Sequence, residues 1–98
     1  MLFAQDLESI SLTEYNGAIF EGADFTGANL HHAHMASLNL KNAIFNDANL
    51  GDATLNMADL QGASFRRANL TGSILSGVSG FSTCLFNIEW RVLIVMTA

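Results

Sequence analysis

Three histidines fall within four positions, His31, His32 and His34, and a carboxylate, Asp52, follows twenty residues after His32. Imidazole nitrogen and carboxylate oxygen are the hard-to-borderline donors that bind zinc. Whether these side chains converge depends on the elements that carry them, and the chain states those elements with unusual regularity.

Ala-Asn-Leu recurs three times at an interval of twenty: Ala28-Asn29-Leu30, Ala48-Asn49-Leu50 and Ala68-Asn69-Leu70. Inside that interval a large side chain returns at every fifth residue, forming an expected ladder of Tyr15, Phe20, Phe25, Leu30, Met35, Leu40, Phe45, Leu50, Leu55, Leu60, Phe65, Leu70 and Leu75. A small residue precedes nearly all of them by two places. On an α-helix each residue turns the chain by about 100°, so a five-residue repeat would scatter the ladder around the whole surface. On a flat strand an odd repeat sends successive members to opposite faces. The pattern therefore requires a chain that bends once per repeat, with four bends closing a coil of twenty. Ladder residues one coil apart then stack like on like, Phe25 with Phe45 and Phe65, Leu30 with Leu50 and Leu70. Gly17, Gly22, Gly27, Gly62, Gly72 and Gly77 share the place two residues after the large one, which is the corner, and Asn42, Asp47 and Asp52 take the same place. Leu38 stands where a small residue is expected, and extra methylenes there predict a local bulge of the wall.

On this frame His31 and His32 share a corner and His34 falls on the next side. Exposed histidines beside a carboxylate are the expected arrangement, with no metal and no cofactor. No serine has a histidine and an acid in register; Ser64, Ser76 and Ser79 fit strand or corner places. No glycine-rich loop precedes a helix, so nothing cradles a phosphate. Cys84 is the single cysteine, which excludes an internal disulfide. No catalytic residue is expected and the chain reads as a non-enzyme.

The register of small residue, Asp or Asn, Leu or Phe, polar residue and Gly resembles the pentapeptide repeat family, most closely in Ala23-Asp24-Phe25-Thr26-Gly27 and Ala58-Asp59-Leu60-Gln61-Gly62. The resemblance implies an all-β fold, a right-handed quadrilateral parallel β-helix of about four coils of twenty residues. The chain departs from the family pattern at Leu38, at Ile19, Ile44 and Ile74 where Asp or Asn is usual, and at the bulky corners His32, Met57 and Arg67. Some members of the family are rod-shaped dimers that mimic duplex DNA and bind type II topoisomerases such as DNA gyrase. That resemblance makes gyrase one candidate partner. The other expectation is a structural or protein-interaction module whose partner is another protein, a further repeat protein among the options.

Of the 98 residues, 9 are Asp or Glu and 4 are Lys or Arg, a formal net charge of −5. With only Lys41, Arg66, Arg67 and Arg91 to meet phosphates, direct nucleic-acid binding is not expected. The first residues lack a basic flank and an uninterrupted apolar stretch, with Gln5, Asp6 and Glu8 arriving at once, which does not fit a secretory signal, so the expected compartment is the cytoplasm. The expected organisation is an N-terminal cap over 1–12, the repeat body over 13–77 and a closing segment over 78–98. Phe3, Leu7 and Ile10 have helical spacing, which predicts a short helix in the cap. Phe81, Leu85, Ile88 and Val92 fit a helical face as well as a last coil. Trp90, Val92, Leu93, Ile94, Val95 and Met96 form an apolar stretch too short to span a bilayer, which predicts self-association through this end and no membrane insertion. Outward charges are expected to pair between coils, Glu21 with Lys41 and Asp47 with Arg67.

Overall fold

A backbone that turns every five residues leaves only two or three extended residues per side, and their amides must find partners in the coils before and after. They do so throughout the computed structural model, which describes residues 6–13, 20–83, 85–87 and 94–95. Parallel bridges join Asp24 to Ile44 and Ile44 to Ser64, Asn29 to Asn49 and Asn49 to Asn69, His34 to Thr54 and Thr54 to Ile74, and Asn39 to Asp59 and Asp59 to Ser79. The hydrogen bonds are reciprocal: Phe25 N–H donates to the Ile44 carbonyl at 2.6 Å, and Ile44 N–H donates back to the Ala23 carbonyl at 2.9 Å. The sides are too short for continuous strands except near the C-terminal end. There β1 (Ser64–Arg66) pairs in parallel with β3 (Leu85–Asn87), and β2 (Ser73–Ile74) with β4 (Ile94–Val95). The chain is a β-helix.

The corners at alanine are closed by a bond from that small residue back to the large one, as Ala28 N–H to the Phe25 carbonyl at 3.0 Å. The residue between them must take positive φ, and it does whether or not it is glycine: Gly27 at 70°, Asp47 at 61°, Met57 at 65° and Arg67 at 58°. The Asp or Asn before each large residue serves the same turn. Its side-chain oxygen accepts the amide two residues on, at 3.1 Å from Asn29 to His31, 3.0 Å from Asn49 to Gly51 and 3.0 Å from Asn69 to Thr71. This local bond replaces a turn amide's lost water, which is the physical role of that repeat position.

The interior is solid. Phe25, Leu30, Met35, Leu40, Phe45, Leu50, Leu55, Leu60, Phe65, Leu70 and Leu75 are buried together with the alanines two places before most of them. Phe25, Phe45 and Phe65 stack with ring centroids 5.0 and 4.8 Å apart and planes 3° and 10° from parallel. Phe20 is also buried, while Tyr15 lies outside the described residues.

The structure bears on three of the sequence expectations. Residues 7–10 are not helical: Leu7 N–H donates to the Asn29 carbonyl and Leu12 N–H to the His34 carbonyl, so Leu7 and Leu12 hold the ladder places beneath Leu30 and Met35. Ile10 fills the small-residue place, its carbonyl accepting His34 N–H at 2.8 Å. This first coil is offset by 23 residues from the next rather than by 20, and backbone pairing with an open coil end outweighs helical spacing in so short a segment. Second, Leu38 is buried and its side still pairs with the next coil, Asn39 bridging Asp59 and the Asp59 N–H reaching the Leu38 carbonyl at 2.9 Å, while its own corner lacks the bond back to the Met35 carbonyl that the alanine corners make, so any distortion is confined to that turn. Third, the closing segment continues as coil where it is described: Phe86 pairs in register with Phe65. A 3-10 turn at Phe81–Thr83 adds one residue there, and Thr83 Oγ1 accepts Gly62 N–H across an offset of 21.

Candidate functional site

A filled interior confines any chemistry to the outside, where the columns of the coil set which side chains meet. At one corner Glu8 comes from the first coil, His31 and His32 from the second and Asp52 from the third. His31 Nδ1 lies 3.8 Å from Glu8 Oε2, and its Nε2 lies 3.3 Å from Asp52 Oδ2. His32 Nε2 is 3.6 Å from the same Asp52 oxygen, and the two imidazole rings are tilted with centroids 3.9 Å apart. His31 is two-thirds shielded while Glu8, His32 and Asp52 are about half exposed. Gly51 makes room for the arrangement, since a Cβ there would stand 3.1 Å from His31 Cδ2. His34 takes no part: it faces the next side, its Nδ1 3.4 Å from Thr54 Oγ1. The histidine pair and Asp52 were visible as repeat neighbours. Glu8 was not, because the 23-residue offset of the first coil breaks the count of twenty.

The remaining charges are distributed by side. Asp47 and Arg67 pair across one coil, as their spacing predicts. Glu21 and Lys41 do not. Lys41 Nζ turns toward the following coil and lies 3.6 Å from Asp59 Oδ2. Glu21 instead accepts the Asn39 amide at 3.0 Å, because Asn39 commits its oxygen to the Lys41 amide and so directs its nitrogen back toward Glu21. Thr26 donates to Asp24 from both its backbone amide and its hydroxyl, at 2.9 and 2.5 Å, and these bonds hold the Asp24 carboxyl below the usual range. The hydrogen bond from Arg67, followed by its charge, does the same to Asp47.

One side carries no Asp, Glu, Lys or Arg among the described residues. Its outward places are Ser11, His34, Thr54 and Ile74, then Thr13, Ala36, Asn56 and Ser76, with Met57 at its edge. Met57 and Ile74 are the large apolar side chains exposed among the described residues, at 63% and 39%. Of the C-terminal apolar stretch, Trp90, Val92, Leu93 and Met96 lie outside the described residues, and Ile94 and Val95 are placed only as backbone paired to β2. Cys84 and Arg91 also lie outside them. No helix among the described residues is long and apolar enough to cross a membrane.

The family model described as pentapeptide repeats matches this chain in 8 copies, over residues 16–47 and 43–79. No curated protein matches it. Among solved structures, QnrB1, a plasmid-mediated fluoroquinolone resistance protein, superposes with a TM-score of 0.71 at 15% identity, over 98% of this chain and 52% of its own. That likeness is one of fold. HetL, a pentapeptide repeat protein involved in heterocyst differentiation regulation from the cyanobacterium Nostoc sp. strain PCC 7120, is 30% identical with a TM-score of 0.54, over 93% of this chain and 40% of its own. The chain thus spans about half the length of these structures or less.

Proposed function

This chain is a member of the pentapeptide repeat family, and on that footing we propose that it is a non-catalytic protein-interaction module docking its partner on the uncharged side. The observation that carries this reading is the exposure of Met57 and Ile74 on a side free of formal charge among the described residues, beside three sides where charge is plentiful. Apolar contact surface without charges to desolvate is what the core of a protein interface uses. The parallel bridges hold that side flat, so binding costs little ordering of the module itself. The test is capture of partners by the wild-type protein and by Met57→Lys and Ile74→Lys variants. Partners retained equally by both variants would move the docking surface elsewhere.

A second reading is mimicry of duplex DNA toward a type II topoisomerase, which the net charge of −5 favours. Against it, Arg67 neutralises Asp47 and Lys41 stands beside Asp59, so two acidic columns are broken by cations. A DNA gyrase supercoiling assay with and without a quinolone separates the readings. Dose-dependent inhibition or protection, lost in Asp24→Lys and Asp59→Lys, would establish mimicry; no effect leaves the uncharged side.

The fold supports a right-handed quadrilateral coil, and the apolar run over 92–96 supports association of that end with a second copy or with another repeat protein. A solenoid end left open exposes unpaired backbone. Sedimentation at micromolar concentration tests this, and a mass equal to one chain with no co-purifying protein would overturn it.

A further inference from the structure

The corner where three coils meet carries a donor set that neither the family nor the docking surface uses. Glu8, His31 and His32 each offer one ligand atom, and these atoms all lie within 4.8 Å of one another. Around a tetrahedral ion with bonds of about 2.0–2.2 Å, donor atoms stand roughly 3.3–3.6 Å apart. The 3.8 Å between Glu8 Oε2 and His31 Nδ1 is within a small rotation of that span. We propose that this corner binds a divalent transition cation of the zinc type, held by a Glu8 carboxylate oxygen, His31 Nδ1 and one ring nitrogen of His32, with a water or a partner's side chain completing the shell.

Asp52 gives the cluster its orientation. With Oδ2 3.3 Å from His31 Nε2, its carboxylate favours the tautomer protonated at Nε2, which leaves the Nδ1 lone pair facing Glu8. A carboxylate behind a ligating imidazole fixes ring and tautomer in this way and raises the basicity of the bound nitrogen. Asp52 is thus a positioning residue, and Gly51 supplies the space in which the His31 ring lies. Two imidazoles with one carboxylate select zinc-like ions over magnesium and calcium, which prefer all-oxygen shells. Since Glu8 belongs to the first coil and the histidines to the second, the ion ties the first coil to the body and raises the melting temperature by binding only the folded state.

Calorimetric titration of the folded full chain with Zn²⁺ is expected to show one ion per chain, with Mg²⁺ and Ca²⁺ giving none. Glu8→Gln, His31→Gln and His32→Gln each lower affinity at least tenfold, Asp52→Asn by about 10–100-fold, and His34→Gln leaves it unchanged. Circular dichroism establishes that each variant is folded. Imidazole ¹⁵N shifts of the loaded protein are expected to show His31 protonated at Nε2 and metal-bound at Nδ1, a signature that Asp52→Asn removes. Absence of zinc heat in the folded wild-type protein overturns the site, as does binding undiminished in His31→Gln or lost equally in His34→Gln. An unchanged ¹⁵N pattern in Asp52→Asn overturns the role of Asp52.

Discussion

Arg67 forks onto Asp47 one coil below it, with Nε 2.7 Å from Oδ1 and Nη2 3.1 Å from Oδ2. Both residues occupy corners at positive φ, 61° for Asp47 and 58° for Arg67, so the pair holds two strained turns in line. The arrangement raises the Arg67 pKa and lowers that of Asp47.

Asp24 and Asp47 both titrate below the ordinary Asp value of 3.8 in the folded protein. A depressed carboxyl stabilises the fold above its unfolded value, and that stabilisation fades as pH falls through the folded one. The melting temperature of the wild-type protein is expected to drop below about pH 4. The double variant Asp24→Asn, Asp47→Asn should show a shallower drop over the same range. An identical acid profile in the two proteins would exclude these carboxylates as its source.

Two glycines with nearly equal φ separate backbone strain from steric overlap. Gly22, at 74°, has none of the described residues within 4 Å of where a Cβ would stand, so Gly22→Ala should cost only the left-handed penalty of about 1–2 kcal/mol. Gly80, at 75°, would place a Cβ 2.5 Å from both Cα and N of Gln61. Backbone there must shift, adding about 1–3 kcal/mol to the same penalty. Urea denaturation of both variants checks the ranking, and equal losses would contradict it.

Leu38 is buried in a column of small residues, with the next coil paired normally above it. Its burial implies that Leu38→Ala should leave a cavity and cost about 2–5 kcal/mol. A gain in stability on truncation would mean the site is overpacked.

Phe45 sits between Phe25 and Phe65 and loses two stacked partners if truncated. Phe45→Ala is expected to cost about 3–5 kcal/mol. In a solenoid each coil contacts only its neighbours, so hydrogen exchange should rise most in the three coils that carry these rings. Uniform loss of protection along the chain would argue against that local coupling.

The body of the coil was legible because a five-residue period excludes both helix and flat sheet before any family is considered. The first coil was not, although its signal is present: Leu7 and Leu12 are five apart, with Asp6 and Ser11 before them and Ser9 at the corner. They run in a different phase from Phe20, and a phase change between coils leaves no mark in composition. Missing that phase hid Glu8 from the histidine corner and Leu12 from the ladder place beneath Met35. The Glu21–Lys41 pairing failed for another reason. Spacing shows which residues are stacked, but a long side chain chooses between coils according to which donors and acceptors its neighbours have already committed.

The column Asp6, Asn29, Asn49 and Asn69 has a direction. Each asparagine oxygen is held by its own turn amide, and the nitrogens of Asn29 and Asn69 point along the axis, to Asp6 Oδ1 at 3.0 Å and to Asn49 Oδ1 at 3.2 Å. Donors thus face the chain's beginning and acceptors its end, and the series closes on a residue that can only accept. The stack is vectorial, like a row of arrows ending on a carboxylate.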